Sequence, residues 1–394
     1  MILANARYWL DYLNARAEDE LIPESDIRNV ARALEVVMTV PEAWSLMQPL
    51  ALALHPHLER RGYWTDWSGF LHSLIACAHQ QMDLAAEAEL LAMQGQIQLQ
   101  RGTHQAAVVS YRRVWRLCRQ TGDQLGRARA LSNLGYLYRI QGRFHRAELL
   151  CKRALALFEI LGDTARVAYT ENHLGLVYYD QRCWSEALPH LTRAKVLLNQ
   201  VGDQHGLAKT LHNLGELYRC TGKPEIALDY FGQAIRNYQM VGDELSVARL
   251  HLNIGNVYFD RGDLPLAEMT YSQAETILER EGDGLYLARI CHNLGVVYTQ
   301  LKNWTEAASC FERALERWQD LKDTWNLANT LGELARLHHI RGRWAQAQAC
   351  LDEAWELTRE RRESHYGPLR HELTELRQEL AGRLAQTSTT KGIA

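Results

Sequence analysis

Apolar residues recur along the chain with two nested periods. Over short distances they return every three or four residues: Tyr8, Leu10 and Leu13 near one end, then Ile27, Val30, Ala31 and Leu34, and near the other end Leu369, Leu373, Leu376, Leu380 and Leu384. That spacing lays one apolar stripe along a helix and predicts helices over 3–18, 25–40 and 367–385. Pro23 and Ser25 supply a break and an N-cap between the first two, and Pro41 ends this lead-in. Over long distances the whole pattern returns every 40 residues. The stretch Ala128 to Gly142, A-R-A-L-S-N-L-G-Y-L-Y-R-I-Q-G, shows it best. Its glycine recurs as Gly95, Gly135, Gly175, Gly215, Gly255 and Gly295, with Ala335 in the seventh place, and its tyrosine as Tyr138, Tyr178, Tyr218, Tyr258 and Tyr298. A fixed period in this range is the signature of a solenoid.

Seven repeats follow from this frame: 83–122, 123–162, 163–202, 203–242, 243–282, 283–322 and 323–362. The first half of each is a helix closing near Gly102, Gly142, Gly222, Gly262 or Gly342, where glycine suits the left-handed residue after a helix end. Arg182 and Lys302 stand at that place in two repeats, which predicts differently shaped turns there. The second helix carries an unvarying alanine, Ala107, Ala147, Ala187, Ala227, Ala267, Ala307 and Ala347, and a second small column from Ala154 to Ala354. A small residue at one position in every repeat means that two helices approach closely there. Phe144, Trp184, Trp304 and Trp344 open second helices, and their periodicity reads as core packing rather than a ligand cage. Gly-Asp joins successive repeats at 122–123, 162–163, 202–203, 242–243 and 282–283, the glycine stopping one helix and the aspartate capping the next.

The flanks are weaker. Residues 1–42 form a helical lead-in, and 43–82 keep the frame at Gly62, Trp64 and Asp83 but place His55 and Trp67 where small residues belong, as in a degenerate first repeat. Residues 363–385 supply a capping helix, and 386–394 a small, polar tail.

Composition narrows the class. With 47% hydrophobic and 23% charged residues the chain is not disordered by composition, and a net charge of −3 argues against a surface devoted to nucleic acid. The eight cysteines lie singly, with no C-x-x-C, as suits reduced thiols in a cytosol. No signal-peptide pattern and no apolar run of membrane-spanning length is present. There is no H-E-x-x-H, no Cys/His ligand set, no G-x-S-x-G and no G-x-x-x-x-G-K-[ST]. Neither a metal, a cofactor nor a catalytic residue is therefore expected.

The spacing of small residue, glycine, tyrosine, glycine and two alanines within a helix pair resembles the tetratricopeptide repeat. The usual unit has 34 residues, so each unit here is longer by about 9 Å of helix shared between two helices. With N-L-G-x-x-Y and a G-D joint, the longer form looks like the repeats of kinesin light chains and cell-polarity adaptors. It also looks like those of bacterial peptide-sensing regulators and of the sensor ends of STAND-type signalling ATPases. Arg7-Tyr8-Trp9-Leu10, Ile27 to Leu34 and Arg61-Gly62-Tyr63-Trp64 are similar to the helical segment joining the ATPase module of STAND proteins to their repeats. The resemblance implies an all-α, right-handed superhelical solenoid of antiparallel helix pairs, here without an ATPase engine.

In such a solenoid the first helices line the concave face, where residues four apart are neighbours. Two positions before the repeat glycine stand Asn133, His173, Asn213, Asn253 and Asn293, with Glu333 in the last repeat. Four positions earlier stand Arg129, Tyr169, Lys209, Arg249, Arg289 and Asn329. An amide row can pair with the N–H and C=O groups of an extended peptide, and the Arg/Lys row can take up carboxylates. Arg139 and Arg219 add charge one turn further on, while Asp180, Glu216 and Asp260 subtract it. The same two positions resemble those used by peptide-binding members of the family. The asparagine column has a second reading, as hydrogen-bonded bracing between neighbouring helices. The expected function is recognition of an extended, acidic peptide segment of another protein, in an adaptor or sensor. The alternative is a regulatory receptor for a small molecule or signal peptide that controls a transcription factor or a STAND ATPase. Neither reading involves direct contact with nucleic acid or membrane, and the oligomeric state stays open.

Overall fold

The computed structural model describes residues 1–16, 22–40, 43–61, 64–359 and 366–391; among them there are nineteen α-helices and no strand. None of the described helices is long and apolar enough to cross a membrane. The chain divides into two compact units, Met1–Asp203 and Gln204–Ala394. The first holds α1 (Ile2–Asn14), α2 (Glu24–Val37), α3 (Trp44–Arg61) and α4 (Trp64–Gln80). Three helix pairs follow: α5 (Leu84–Gln100) with α6 (His104–Thr121), α7 (Gln124–Ile140) with α8 (Phe144–Leu161), and α9 (Thr164–Asp180) with α10 (Trp184–Val201). The second unit opens with α11 (Gln204–Cys220) on α12 (Pro224–Met240) and α13 (Glu244–Asp260) on α14 (Leu264–Glu281). It continues with α15 (Gly284–Gln300) on α16 (Trp304–Asp320) and α17 (Thr324–Ile340) on α18 (Trp344–Thr358), and ends in α19 (Tyr366–Lys391).

Caps and left-handed turn residues set the bounds of many of the helices. Asp83, Asp123, Asp163, Asp243, Asp283 and Asp323 each accept a hydrogen bond through Oδ1 from the backbone N–H three residues on, at 2.9–3.1 Å. This satisfies one of the free amides that a helix start leaves exposed. Helix ends turn through residues of positive φ, such as Gly142 at 69° and Gly222 at 73°. Arg182 and Lys302 do not give differently shaped turns. They take φ of 60° and 63°, and Arg182 N–H and Cys183 N–H reach Tyr179 O and Tyr178 O as Gly142 and Arg143 reach Arg139 O and Tyr138 O. The hydrogen bonds of the turn impose the left-handed residue, and these side chains bear its cost, about 1–2 kcal/mol for an L-residue. Ser25 is likewise not an N-cap: α2 begins at Glu24, with Pro23 at the cap and no side-chain cap bond.

Close helix packing accounts for the small columns. All seven alanines from Ala107 to Ala347 are wholly buried, and so is the column from Ala154 to Ala354. The repeat glycines face the middle of the partner helix: a Cβ on Gly175 would stand 2.6 Å from Leu191 Cγ, and one on Gly295 2.6–2.9 Å from the Phe311 ring. Trp184 and Trp344 stack edge-on against Tyr179 and His339 at 5.2 and 5.1 Å, as packing residues do. In the second unit Leu369, Leu373, Leu376 and Leu380 of α19 are buried against a core containing Leu331, Ala335 and Leu351. That helix runs on to Lys391, through residues read from the sequence as tail; the side chain of Leu384 lies outside those described. The first helix ends at Asn14, earlier than its periodicity suggests, and residues 17–21 lie outside the described residues, as do Pro41, Gly62 and Tyr63.

Candidate binding groove

In the first unit the first helices of the pairs, α5, α7 and α9, line a cleft of about 770 Å³. Arg129, Asn133 and His173 from the two columns all face it, together with Met93, Arg166 and Tyr169. Arg129 is exposed and Asn133 half-buried, and neither makes an ion pair or side-chain hydrogen bond among the described residues. Tyr169 differs: its hydroxyl donates to Asp203, the aspartate of the next joint. Arg166 is bound to Asp163 at 3.1 Å, and its guanidinium pKa is lowered by burial and then by the nearby charge of Arg129. Two cations thus stand close together in one cleft.

The second unit carries the rest of the basic column. Lys209 and Arg289 are exposed and form no ion pair among the described residues, although the Arg289 guanidinium lies 5.3 Å from the Tyr286 ring. Arg249 is engaged by Asp283 at 3.1 Å and lies 4.5 Å from the same ring, the role that Tyr169 plays in the first unit. Whether a column residue is free depends on what else binds the joint aspartate. Asp163 is met by Arg166, Asp243 by Ser246 and, from the preceding repeat, His205, and Asp323 by Asn326. The matching column residues, Arg129, Lys209 and Arg289, are the ones left open. The additional cations are neutralised: Arg139 by Asp180 at 2.7 Å, and Arg219 by Glu216 at 3.0 Å and Asp260 at 3.7 Å.

The amide column is partly spent on the fold. Asn253 Nδ2 donates to His212 Nε2 at 2.8 Å, and Asn293 Nδ2 to Asn256 Oδ1 at 3.0 Å, each reaching back to the preceding repeat. His173 Nδ1 lies 3.4 Å from Ser132 Oγ, with its ring 5.2 Å from Tyr136. Burial lowers the pKa of His212, and lowers that of His173, aided by the charge of Arg139, to about 4. His292, bonded to Thr330 at 2.9 Å, is also brought by burial to about 4. These imidazoles are neutral bracing groups at pH 7. Bracing therefore describes Asn253, Asn293 and His173, while Asn133 makes no side-chain hydrogen bond among the described residues; Asn213 is half-buried on α11.

Two residues at the cleft escape a reading by columns alone. Arg166 lies outside both columns, three residues before Tyr169. Glu89 lies in the basic column itself, 40 residues before Arg129, and a frame extended by one repeat would have included it. Among the described residues, no group of three or more His, Cys, Asp or Glu side chains is placed to hold a metal ion.

Models of the tetratricopeptide repeat match residues 127–161, 166–240, 246–320 and 286–360, together more than half of the chain. No curated protein sequence matches it. Solved structures share the fold at low identity. A STAND signal-transduction ATPase with a tetratricopeptide repeat sensor, from Pyrococcus horikoshii, aligns with a TM-score of 0.65 and 15% identity over 92% of this chain and 56% of that one. The apo quorum sensor NprR from B. thuringiensis aligns at 0.59 and 14% over 90% and 97%. A Rap protein complexed with competence and sporulation factor aligns at 0.57 and 15% over 88% and 99%. At such identities these likenesses establish the fold. Repeat arrays of this type are protein-interaction modules, and the chain belongs to the tetratricopeptide repeat family.

Proposed function

We propose that the inner face of the repeats binds an extended, acidic segment of another protein, in an adaptor or signal-sensing role in the cytoplasm. The observation that carries this reading is the pair Arg129 and Asn133. They are one helical turn apart, open to the 770 Å³ cleft of the first unit, and without an ion pair or side-chain hydrogen bond among the described residues, whereas Arg249, Asn253 and Asn293 at equivalent places are engaged. An arginine can take a carboxylate in fork geometry, and the amide beside it can meet a peptide N–H or C=O. Lys209 and Arg289 offer further open cations on the second unit. The reading requires no catalysis, cofactor or nucleic acid. That a Rap protein of similar fold was solved with competence and sporulation factor, and that NprR is a quorum sensor, accords with a sensing role.

The test is recovery of partners by the full chain from a lysate of its source, for the wild type and for the Arg129→Glu/Asn133→Ala variant with matched circular dichroism. Loss of the same partner from the variant supports the reading, and unchanged recovery overturns it. The cleft also falls in the size range of small-molecule sites, roughly 300–1,000 Å³. A receptor for a small molecule would instead raise its melting temperature with that compound alone, by mass action.

A further inference from the structure

The open positions on the first unit's inner face do not share one sign. Glu89 on α5 and Arg129 on α7 occupy the same place in successive repeats, and both line the cleft. Glu89 is exposed, and among the described residues it accepts a 3.3 Å hydrogen bond from the Gln48 amide. No cation of the chain neutralises it among the described residues. Arg129 likewise has no anion, and Arg166 beside it, half-offset by Asp163, reinforces its positive sign. The third place in the column is closed, because Tyr169 is bonded to Asp203. The other carboxylate at the cleft, Asp123, is committed to capping Gly126. One open anion and one open cation therefore stand a single repeat apart, with half-buried Met93 and Asn133 each lining the cleft one helical turn after Glu89 and Arg129.

We propose that the segment taken up by this cleft is bipolar, with a basic side chain set against Glu89 and an acidic group set against Arg129, about three residues apart along an extended chain. The spacing follows from two lengths. Packed neighbouring helices lie about 10 Å apart, and an extended peptide advances about 3.3 Å per residue. A uniformly acidic segment would place a carboxylate against Glu89, and a uniformly basic one would place a cation against Arg129 and Arg166. Like charges brought together in a cleft oppose binding, so the pair discriminates among segments as well as attracting one. The inference rests on the peptide reading above and narrows its acidic segment to one that also carries a basic side chain, set against Glu89.

The test pans a random dodecapeptide phage library against the full-length chain and against the Glu89→Arg variant, whose exposed substitution is checked by circular dichroism and melting temperature. The wild type is expected to enrich sequences with Lys or Arg three positions from Asp or Glu, in either order. Glu89→Arg is expected to enrich acidic residues at both places. For a synthesised wild-type winner, replacing its basic residue by Glu should weaken binding about tenfold in fluorescence anisotropy, and the Glu89→Arg protein should recover that loss. Selection of the same acidic sequences by both proteins overturns the bipolar ligand and leaves the peptide groove standing. Failure of the wild type to enrich any sequence overturns both.

Discussion

Replacing Gly295 by alanine probes the close helix approach on which the repeats depend. The new Cβ would stand 2.6 Å from Phe311 Cε1, 2.7 Å from Cδ1 and 2.9 Å from Cζ. Ordinary carbon–carbon contact is about 3.5–4.0 Å, so the ring or the helix must move by roughly 1 Å. Phe311 is wholly buried. Overpacking of this kind costs about 1–3 kcal/mol, against which alanine recovers about 1 kcal/mol of helix propensity. The expected net destabilisation is ~1–2 kcal/mol. Gly232, inside α12, is the control, since its added Cβ would meet nothing nearer than Arg236 Nη1 at 3.8 Å. There alanine should stabilise by about 0.5–1 kcal/mol. Urea denaturation followed by far-UV circular dichroism reads both variants. The Gly295→Ala/Phe311→Ala double variant should be more stable than the sum of the two single changes predicts, by about 1 kcal/mol or more, because the methyl then enters a vacated space. If Gly295→Ala and Gly232→Ala shift the midpoint alike, the close-approach argument is wrong.

Other outcomes follow from the turns, the buried imidazoles and the amide column. Arg182→Gly and Lys302→Gly, which keep turns already at positive φ, should each stabilise by about 0.5–1 kcal/mol, less than the full left-handed cost because glycine also frees the unfolded chain; a loss of melting temperature would contradict this. His173 and His292 have pKa values lowered to about 4, so between that value and the unfolded value near 6.5 the unfolded chain binds more protons. Stability should be full above pH 6.5 and fall toward pH 4, each imidazole contributing on the order of 2 kcal/mol after allowance for partial exposure. His292→Gln should flatten that acid limb in melts taken across pH. Asn253→Ala, which strips the His212 acceptor of its donor, should lower stability by about 1 kcal/mol. Asn133→Ala should leave stability within about 0.5 kcal/mol and weaken partner binding about two- to twelvefold.

These residues also show what the chain reveals without coordinates and what it hides. The fold is legible because each structural demand is met by one residue type at one place in every repeat: glycine or alanine where backbones approach, aspartate where a helix starts. The turns at Arg182 and Lys302 were not legible, because residue preference is a statistical tendency while hydrogen bonds to the preceding helix decide the backbone. The candidate site is legible in the sequence as two columns, Arg129 to Arg289 and Asn133 to Asn293, but which of their side chains the fold engages is not. Bracing partners such as His212 for Asn253 lie 41 residues back, one repeat and one position away, so a scan down a single column passes over them. Whether a cation is open depends on what else meets the joint aspartate, as Arg166 does for Asp163 and Ser246 for Asp243. That competition is a matter of geometry within each turn, which repeat periodicity does not encode.

The central claim, that the inner face of the first unit receives another protein's segment, is tested most directly by site-specific photo-cross-linking. A benzophenone amino acid replaces Met93, which lines the cleft, or, for comparison, exposed Val109 on α6. Both proteins are irradiated with the partner bound, and the attached peptide is identified by mass spectrometry. The account predicts one segment of the partner attached at position 93 and absent from position 109. Attachment of the partner at position 109 with none at position 93 would contradict it.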